Sequence, residues 1–460
     1  MTSHQPVTLA TRLGLAGVIF FGLAYMAPGI VQSTFGVVAE VSGGVAPMAY
    51  LAATAAMLLT ALSYAALAKR FPSSGSSFTY ASSMLGRGPG FLVGWAILLD
   101  YLFLPMVAWL IQSIYLNAQF PGVPIWAWLV LNIGLTTVIN VLGIVLADRV
   151  NTALTVLALV GIAVFAIVMI GYLAARPAPD AGAALLNPNT SIAAIASAAA
   201  IAAYSFLGFD AISTLSEETK NPQRTIPRGI LLTVAIGGGI FVVVSWLMQL
   251  VHPGGHFQNA DIAGYTISVQ AGGKFFADAL NIVGIVGGFA SGLAIQATSS
   301  RLLYVMGRDG VLPKRVFSRL SAKYRVPWIN VLIVGAVGFI GLGLDIAQAT
   351  SLINFGAFLA FTAVNVSFLV LIWRERMTRS RAARALLSLV PIVGAVVDLA
   401  LLSQLQPSAQ IVGAIWLAIG IGWLAYLTRG FRRSVPSGAG APVPSASVET
   451  AETLDEDIVR

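Results

Sequence analysis

The sequence contains no cysteine among its 460 residues, which excludes disulfides and thiolate metal sites. It has three histidines, His4, His252 and His256, and none of them lies inside a long apolar segment. A serine–histidine pair or an HExxH zinc motif in the apolar core is therefore excluded. Charged residues make up only 10% of the chain, against about 25% in soluble proteins. This scarcity of charge excludes an ordinary soluble domain.

Apolar residues make up 57% of the chain, and the mean hydropathy is +0.86. Because a membrane crossing needs about 20 apolar residues, the long apolar runs predict an all-α membrane protein with twelve transmembrane helices. These helices cover residues 13–40, 45–68, 89–116, 124–147, 151–174, 191–216, 228–251, 278–304, 327–345, 348–373, 384–404 and 409–429. The first run is too long for a cleaved signal peptide.

The basic residues predict the orientation of the chain. With a cytoplasmic N-terminus at residues 1–12, only Arg176 and Lys274 of the 26 Lys and Arg residues fall outside. This is the asymmetry of the positive-inside rule, so both termini are predicted to be cytoplasmic. The same asymmetry explains the net charge of +8, and no nucleic-acid partner is predicted. Residues 434–460 are rich in Pro, Ser, Ala and acids, which predicts a disordered cytoplasmic tail.

Two of the predicted helices are interrupted near their middle. The first contains Ala27-Pro28-Gly29, where proline removes a backbone donor and glycine follows directly. The sixth contains Leu207-Gly208. Two interrupted helices five spans apart indicate a five-helix unit that is repeated with inverted topology.

The repeat divides the chain into segments. We predict a first repeat at residues 13–174, a second at residues 191–373, and two additional helices within residues 384–429. The loops after the second and seventh helices, residues 69–89 and 252–277, are both long and glycine-rich. These loops are equivalent in the repeat, which supports the division.

The stretch from Tyr204 to Asp210 contains the most informative acid of the sequence. A carboxylate inside a membrane span has to take up a proton, find a partner or face a water-filled cavity. A broken helix at membrane depth needs protein or a cavity to cover its free backbone groups. Asp210 therefore predicts a substrate or ion site on a discontinuous helix. The alternative is that Asp210 only caps the second half of that helix.

Five blocks resemble the amino acid–polyamine–organocation (APC) transporters, and within them the bacterial putrescine importers. They cover residues 63–80, 94–106, 205–228, 300–313 and 350–368. The resemblance implies a LeuT-like five-plus-five inverted repeat with discontinuous helices one and six. It also implies a secondary transporter in the bacterial inner membrane that imports putrescine or a related polyamine by alternating access, without a cofactor.

The resemblance also implies a substrate site at the two breaks, with walls from helices three, eight and ten. The candidate substrate-binding residues are Tyr25, Ala27, Gly29, Gln32, Tyr101, Tyr204, Ser205, Phe206 and Asp210. Aromatic faces can hold a cation, and carbonyl groups beside each break can accept hydrogen bonds from an ammonium group. Asp210 is the predicted partner of that ammonium group and a candidate proton carrier.

One departure from the putrescine importers bears on the substrate. Members of that branch carry Phe-Asp where this chain has Val31-Gln32, and a bulkier residue at Gly29. The missing acid removes a counter-charge for one end of a diamine. Gly29 leaves backbone N–H groups at a helix N-terminus open to a carboxylate. The resemblance therefore favours a polyamine, while the departure favours a monoamine or an amino acid.

Two further acids lie inside predicted spans. Asp100 lies near the middle of helix three, beside Tyr101. It either takes part in gating and coupling or forms a hydrogen bond to a neighbouring helix. Asp398 lies in helix eleven, outside the repeat, and is interpreted as a structural or interfacial acid.

The candidate gating and coupling residues lie on both sides of the second break. Phe206 is a candidate outer gate, and the alternative is ordinary packing. Glu217 and Glu218 end the sixth helix, where acids oppose the helix dipole and need a partner. They are candidates for an inner gate that opens when Arg or Lys partners separate, or for a static surface salt bridge.

The coupling ion is predicted to be a proton rather than sodium, because the resembling branch uses protons and carboxyl groups are present. Thr298 and Ser299 in helix eight are the alternative, since hydroxyl groups there hold sodium in related transporters. Ordinary interhelical hydrogen bonding would explain them equally well. The oligomeric state is not predicted.

Competing functions leave different marks on the sequence. An amino acid permease of the same superfamily would share every feature above. An intramembrane aspartyl enzyme would use Asp100 and Asp210, but such enzymes carry Gly-x-Gly-Asp, and Leu207 replaces the first glycine here. We therefore expect a transporter rather than an enzyme. A sensor that binds amines without transporting them is a further alternative.

Overall fold

The structure is a computed structural model that describes residues 13–71, 77–143, 148–177, 180–188, 190–308, 310–377 and 380–433. The side chains of residues 148–151 and 217 are not described. The predicted cytoplasmic N-terminus, residues 1–12, and the predicted tail, residues 434–460, lie outside the described residues.

The regular structure of the described chain is helical, and its only β-type pairing is an isolated bridge between Leu13 and Thr219. The α-helices are α1 (Leu15–Met26), α2 (Ile30–Ser42), α3 (Ala46–Arg70), α4 (Ser77–Leu85), α5 (Arg87–Gln119), α6 (Ile125–Val141), α7 (Asp148–Ala174), α8 (Ile192–Ala202), α9 (Pro222–Val251), α10 (Ala263–Arg308), α11 (Lys314–Phe317), α12 (Trp328–Gly338), α13 (Ile346–Arg374), α14 (Arg381–Ser403) and α15 (Pro407–Leu427). Four 3-10 segments cover Ala203–Phe206, Asp210–Glu218, Ala260–Ile262 and Phe339–Gly343.

Length and apolar composition fit a multi-pass membrane protein. Among the described residues, nine helices are long and apolar enough to cross a membrane, or ten if the bent pair α1 and α2 forms one span. Two shorter apolar helices, Ile125–Val141 and Trp328–Gly343, occupy the places of the predicted fourth and ninth spans. Large apolar side chains face outward, as Ile167 does with 66% exposure, which suits contact with lipid tails.

Helix α10 is too long for a single crossing. Its 46 residues would extend about 70 Å as one straight helix, against about 30 Å of hydrocarbon. A left-handed glycine, Gly273 with φ 80°, kinks the helix near its start. The predicted eighth span, residues 278–304, lies after this kink.

The two long segments predicted as loops contain helical structure. α4 lies in the first, and the segment Ala260–Ile262 with the start of α10 lies in the second. The residues of α4 are held by packing against α5 and α13, where Tyr80 and Ala81 are fully buried. A helix this short is not stable alone, which is why its serine-rich sequence reads as a loop.

The predicted first break is present. α1 ends at Met26, Ala27 adopts a left-handed conformation with φ 45°, and α2 begins at Ile30 with its axis turned by 52°. Proline at position 28 cannot donate to the preceding turn, so the chain leaves the helix there.

The predicted second break is also present, but the residues after it are not α-helical. Gly208 has φ 112°, and the segment Asp210–Glu218 is a 3-10 helix. The hydroxyl groups of Ser213, Thr214 and Ser216 each donate to the carbonyl three residues earlier. These bonds follow the three-residue period of a 3-10 helix.

Backbone hydrogen bonds join the residue just before α1 to the end of the sixth span. Leu13 N–H donates to Glu218 O at 3.1 Å, and Lys220 N–H donates to Leu13 O at 2.9 Å. Elsewhere α5 and α13 pack closely, since a Cβ on Gly356 would lie 2.4 Å from the carbonyl oxygen of Ala96. This close approach sets Asp100, one turn after Ala96, beside α13.

Candidate functional site

The two helix breaks meet at Tyr25 and Gly208. A Cβ atom on Gly208 would lie 2.3 Å from Cδ1 of Tyr25, so the ring packs directly on the backbone of the second break. The positive φ of Gly208 also suits only glycine without strain. The two helix breaks predicted from the sequence therefore contact each other in the structure.

Asp210 is the first residue of the 3-10 segment that follows the second break. Its Oδ1 accepts a hydrogen bond from Gly208 N–H at 3.2 Å, which ties the carboxyl group to the break itself. The N-cap of the segment is Phe209, and no side chain caps it. Contact with substrate, the other predicted role of Asp210, stays a prediction.

Asp100 differs from Asp210 in its hydrogen bonding. Its Oδ1 is buried without a hydrogen-bond partner among the described residues. Its carboxyl group lies within electrostatic range of Asp210, and the phenol groups of Tyr25, Tyr101 and Tyr204 lie within range of Asp100. We call Asp100, Asp210, Tyr25, Tyr101 and Tyr204 the acid–tyrosine site.

The ionisable groups of the acid–tyrosine site are all acidic. No Lys or Arg of the described chain is among the groups that act on the charge of Asp100 or Asp210. The ion pairs Arg70–Glu375 and Lys274–Asp278 lie elsewhere. Two half-buried carboxylates within electrostatic range of each other repel each other, and a cation or a proton relieves this repulsion. The arrangement can therefore accept an organic cation.

Gly29 borders open space. A Cβ there would meet nothing within 4 Å, and the start of α2 carries no side-chain cap. Nearby, the carbonyl of Gln32 accepts a hydrogen bond from Tyr115 at 3.0 Å. The amide nitrogen of the Gln32 side chain is buried with no partner in the described structure, so it has donors to offer a ligand.

Two of the carbonyl groups that are expected to bind an ammonium group already accept one hydrogen bond each. Ile30 N–H donates to Ala27 O at 2.8 Å, and Leu207 N–H donates to Tyr204 O at 3.1 Å. A carbonyl oxygen has a second lone pair, so these atoms can still accept a further donor.

Ser205 and Phe206 are both buried. The Ser205 hydroxyl faces the hydroxyl of Tyr50. The Phe206 ring meets Phe241 edge to face, with centroids 5.1 Å apart. In this conformation both side chains pack toward α3 and α9, and their predicted roles in binding and gating stay predictions.

The predicted inner gate is only partly described. The side chain of Glu217 lies outside the described residues. Glu218 is half-buried, and its carbonyl accepts the N–H of Leu13. A gating role for this pair stays a prediction.

The hydroxyl groups proposed for sodium make ordinary helix contacts. Thr298 donates to Ala294 O at 2.9 Å. Ser299 donates to Tyr101 O on α5 and to Ile295 O on its own helix. In the described part of the chain, no group of three His, Cys, Asp or Glu residues is arranged to hold a metal ion. Sodium binding at Thr298 and Ser299 stays a prediction.

Comparison with known families decides the class of the protein. A sequence model described as amino acid permease matches residues 17–404, which includes both breaks and every residue of the acid–tyrosine site. The chain belongs to the amino acid permease family.

Individual relatives of this permease are transporters by name. It is 39% identical over 439 residues to the low-affinity putrescine importer PlaP of Escherichia coli K12, covering 94% of this chain and 96% of that protein. It is 28% identical to the methylthioribose transporter of Bacillus subtilis, over 89% and 90% of the two chains. It is 28% identical to the branched-chain amino acid permease BcaP of Lactococcus lactis, over 94% and 96%. This permease is thus a membrane transporter of the amino acid and polyamine class.

Sequence reasoning missed two residues that shape the site of the permease. Tyr115 binds the carbonyl of Gln32, and Asn354 on α13 donates to Ala200 O at the end of α8, at 2.7 Å. An asparagine inside an apolar helix is an available signal, because polar side chains at membrane depth find partners on neighbouring helices. Tyr115 gives no comparable signal, since tyrosine is common at the ends of membrane helices.

Proposed function

We propose that this permease imports putrescine or a related polyamine by alternating access and couples this import to protons rather than sodium. The single observation that carries the proposal is the acid–tyrosine site, where Asp100 and Asp210, both half-buried, lie within electrostatic range of each other and of tyrosine phenols, with no Lys or Arg of the described chain acting on them. A substrate ammonium group would supply the missing charge. The similarity to the putrescine importer PlaP supports the same substrate class.

Two carboxyl groups suit a diamine better than one does. The sequence departure at Gln32 left Asp210 as the main acid, whereas Asp100 offers a second one from α5. In the proposed complex the open oxygen of Asp100 receives one ammonium group, Asp210 balances the second, and tyrosine faces hold the cationic ends. This division of charge compensates for the acid that is absent at Gln32.

The topology proposed for this function has twelve spans in two inverted repeats of five, plus α14 and α15. Both termini lie in the cytoplasm, and the membrane is the bacterial inner membrane. The shorter helices α6 and α12 complete the count of twelve. The two breaks then lie at equivalent positions of the repeats, at the depth where a substrate site is expected.

A competition panel tests the proposed substrate class. Purified permease binds labelled putrescine, and unlabelled putrescine, spermidine, monoamines and the common amino acids compete. We expect displacement by putrescine and spermidine at concentrations at least about tenfold lower than by any amino acid, since each 1.4 kcal/mol of binding energy changes affinity tenfold. Displacement by a neutral amino acid at the lowest concentration would instead establish the second candidate.

That second candidate is an amino acid permease. The observation that favours it is the uncapped start of α2 at Gly29, with open space in front of it. Backbone N–H groups there could receive a substrate carboxylate, and the side-chain amide of Gln32 could donate to it as well. The nearby carboxyl groups of Asp100 and Asp210 disfavour a second anion, which places this candidate after the polyamine.

Asp210→Asn separates the two roles of this residue. The amide oxygen of asparagine can still accept the hydrogen bond from Gly208 N–H, so the second break should remain intact while the charge is lost. We expect the variant to insert normally and to lose substrate binding and accumulation, measured by surface expression and by uptake of labelled putrescine. Wild-type uptake would reduce Asp210 to a structural acid at the second break.

Gln32→Asp restores an acid at the place where the putrescine importers carry one. We expect this variant to bind putrescine more tightly relative to monoamines and amino acids, because a carboxylate near the α2 start would add to the negative charge that Asp100 and Asp210 offer to the two ammonium groups. The competition panel measures the ranking. An unchanged ranking would show that Gln32 does not set charge selectivity.

A further inference from the structure

A second buried acid cluster lies away from the acid–tyrosine site. Asp398 on α14 is fully buried. One of its oxygens, Oδ2, accepts hydrogen bonds from the hydroxyl of Thr60 on α3, at 3.0 Å, and from the amide of Asn365 on α13, at 2.9 Å. Its other oxygen, Oδ1, has no hydrogen-bond partner in the part of the chain that the structure describes.

Further hydrogen bonds link the side chains around this carboxyl group. The Ser63 hydroxyl donates to Oδ1 of Asn365, and the amide nitrogen of Asn365 donates to both Thr60, at 3.0 Å, and Asp398. We call Thr60, Ser63, Asn365 and Asp398 the Asp398 cluster. Gly394, one turn before Asp398, allows the close approach, since a Cβ there would lie 2.8 Å from Oδ1 of Asn365.

Among the described residues, the elements that pack against Asp398 bring no positive charge close to it. α14 packs against α3, α13 and α8. The titratable group that faces Asp398 from α3 is Tyr64, α8 has no titratable residue, and the only one on α13 is Arg374 at its end. On α14 itself, Arg384 lies fourteen residues earlier, about 21 Å along the helix. A carboxylate in such a place is costly unless it carries a proton or water reaches it.

Tyr64 connects the Asp398 cluster to the substrate site. Its ring meets Phe209 edge to face, with centroids 5.5 Å apart, and Phe209 directly precedes Asp210. Its phenol group lies within electrostatic range of both Asp210 and Asp398. A movement of the second break therefore acts on Tyr64, which follows Ser63 of the cluster in the chain.

We propose that Asp398 is a proton-binding site, separate from the acid–tyrosine site, that couples proton movement to transport. This inference rests on the proposed function, because it assigns the coupling proton of the same transporter. With α3, α13 and α14 closed as in this structure, Asp398 holds the proton on its carboxyl oxygen. When these helices part and water enters, the proton leaves to water on the inner side and another later binds from the outer side. No other bond changes.

Two transport measurements on one variant test this role. Asp398→Asn keeps the shape and the hydrogen-bonding capacity of the side chain but cannot exchange a proton. In reconstituted vesicles, we expect accumulation of labelled putrescine driven by a proton gradient to fall at least about tenfold, a size typical of energetic coupling between sites. Exchange of labelled for unlabelled putrescine without a gradient should stay within about twofold of wild type. Accumulation at the wild-type level would overturn the proposal.

A matched control and a second variant make the test decisive. Asp278→Asn makes the same chemical change at the Lys274 pair and should leave both measurements unchanged. Thr60→Val removes one donor to the Asp398 oxygen at nearly constant volume. We expect it to shift the pH dependence of accumulation and to leave exchange intact. If Asp398→Asn does not insert, an unchanged pH profile in Thr60→Val overturns the proposal.

The same experiment separates this inference from the proposed function. If wild-type vesicles neither exchange nor accumulate putrescine, the proposed function is wrong and the inference fails with it. If wild-type vesicles accumulate putrescine and Asp398→Asn does so equally, only the inference fails. The proton would then be carried by another group, with the carboxyls of the acid–tyrosine site as the next ones to test.

Discussion

Asp100→Asn is expected to weaken putrescine binding by about 100-fold or more. The open carboxyl oxygen of Asp100 is the proposed partner of one ammonium group in a buried site. Removing one member of a buried ion pair costs about 3–5 kcal/mol, and each 1.4 kcal/mol corresponds to a factor of ten in the Kd. Equilibrium binding of labelled putrescine to the purified permease measures this effect directly.

Two comparisons make the Asp100 result specific. Asp278→Asn, which alters the carboxyl group that pairs with Lys274 on α10, should leave the Kd unchanged. A monoamine, which has only one ammonium group to place, should lose less affinity than putrescine in Asp100→Asn. Wild-type affinity for putrescine in this variant would show that Asp100 only connects helices and that the two-acid interpretation is wrong.

Gly208→Ala is expected to abolish uptake and to lower the unfolding temperature. The added Cβ would lie 2.3 Å from the Tyr25 ring, and overpacking of this kind costs about 1–3 kcal/mol. The left-handed φ of 112° adds strain of about 1–3 kcal/mol for any other residue. Because both breaks meet at this point, the substitution is also expected to displace residues of the acid–tyrosine site. Thermal unfolding of the solubilised protein and uptake by vesicles measure the two effects.

Gly29→Ala is the matched control for this prediction. Gly29 has φ −64°, and a Cβ there meets nothing within 4 Å, so its unfolding temperature should match that of wild type. The double variant Tyr25→Ala, Gly208→Ala should recover part of the lost stability, because the ring contact at 2.3 Å is removed while the backbone strain remains. A wild-type unfolding temperature in Gly208→Ala would contradict the contact between the two breaks.

Positions of the long helices could be predicted because apolar runs of sufficient length have one stable form in a membrane. The breaks could be predicted because Pro28 and Gly208 change the backbone itself, whatever packs around them. The helix α4 and the 3-10 form of Asp210–Glu218 could not. The first depends on packing against α5 and α13, and the second on hydroxyl groups that bond back to the chain.

The residues of the candidate site, like the fold, could be predicted only in part from the sequence. Asp210 and Tyr25 could be assigned to one place from the two breaks alone. The partnership of Asp100 with Asp210 depends on how closely α5 and α13 pack, which Gly356 permits and which a single sequence does not reveal. Asp398 was interpreted from sequence as a structural or interfacial acid. Its open oxygen and its contacts with α3 and α13 become visible only when three distant segments are brought together.

The most direct test of the central claim is accumulation of labelled putrescine by vesicles that contain only the purified permease. With a proton gradient directed inward and no sodium present, the account predicts accumulation that a protonophore abolishes and that is lost in Asp100→Asn. Absence of putrescine accumulation under this gradient, or accumulation that requires sodium, would contradict it.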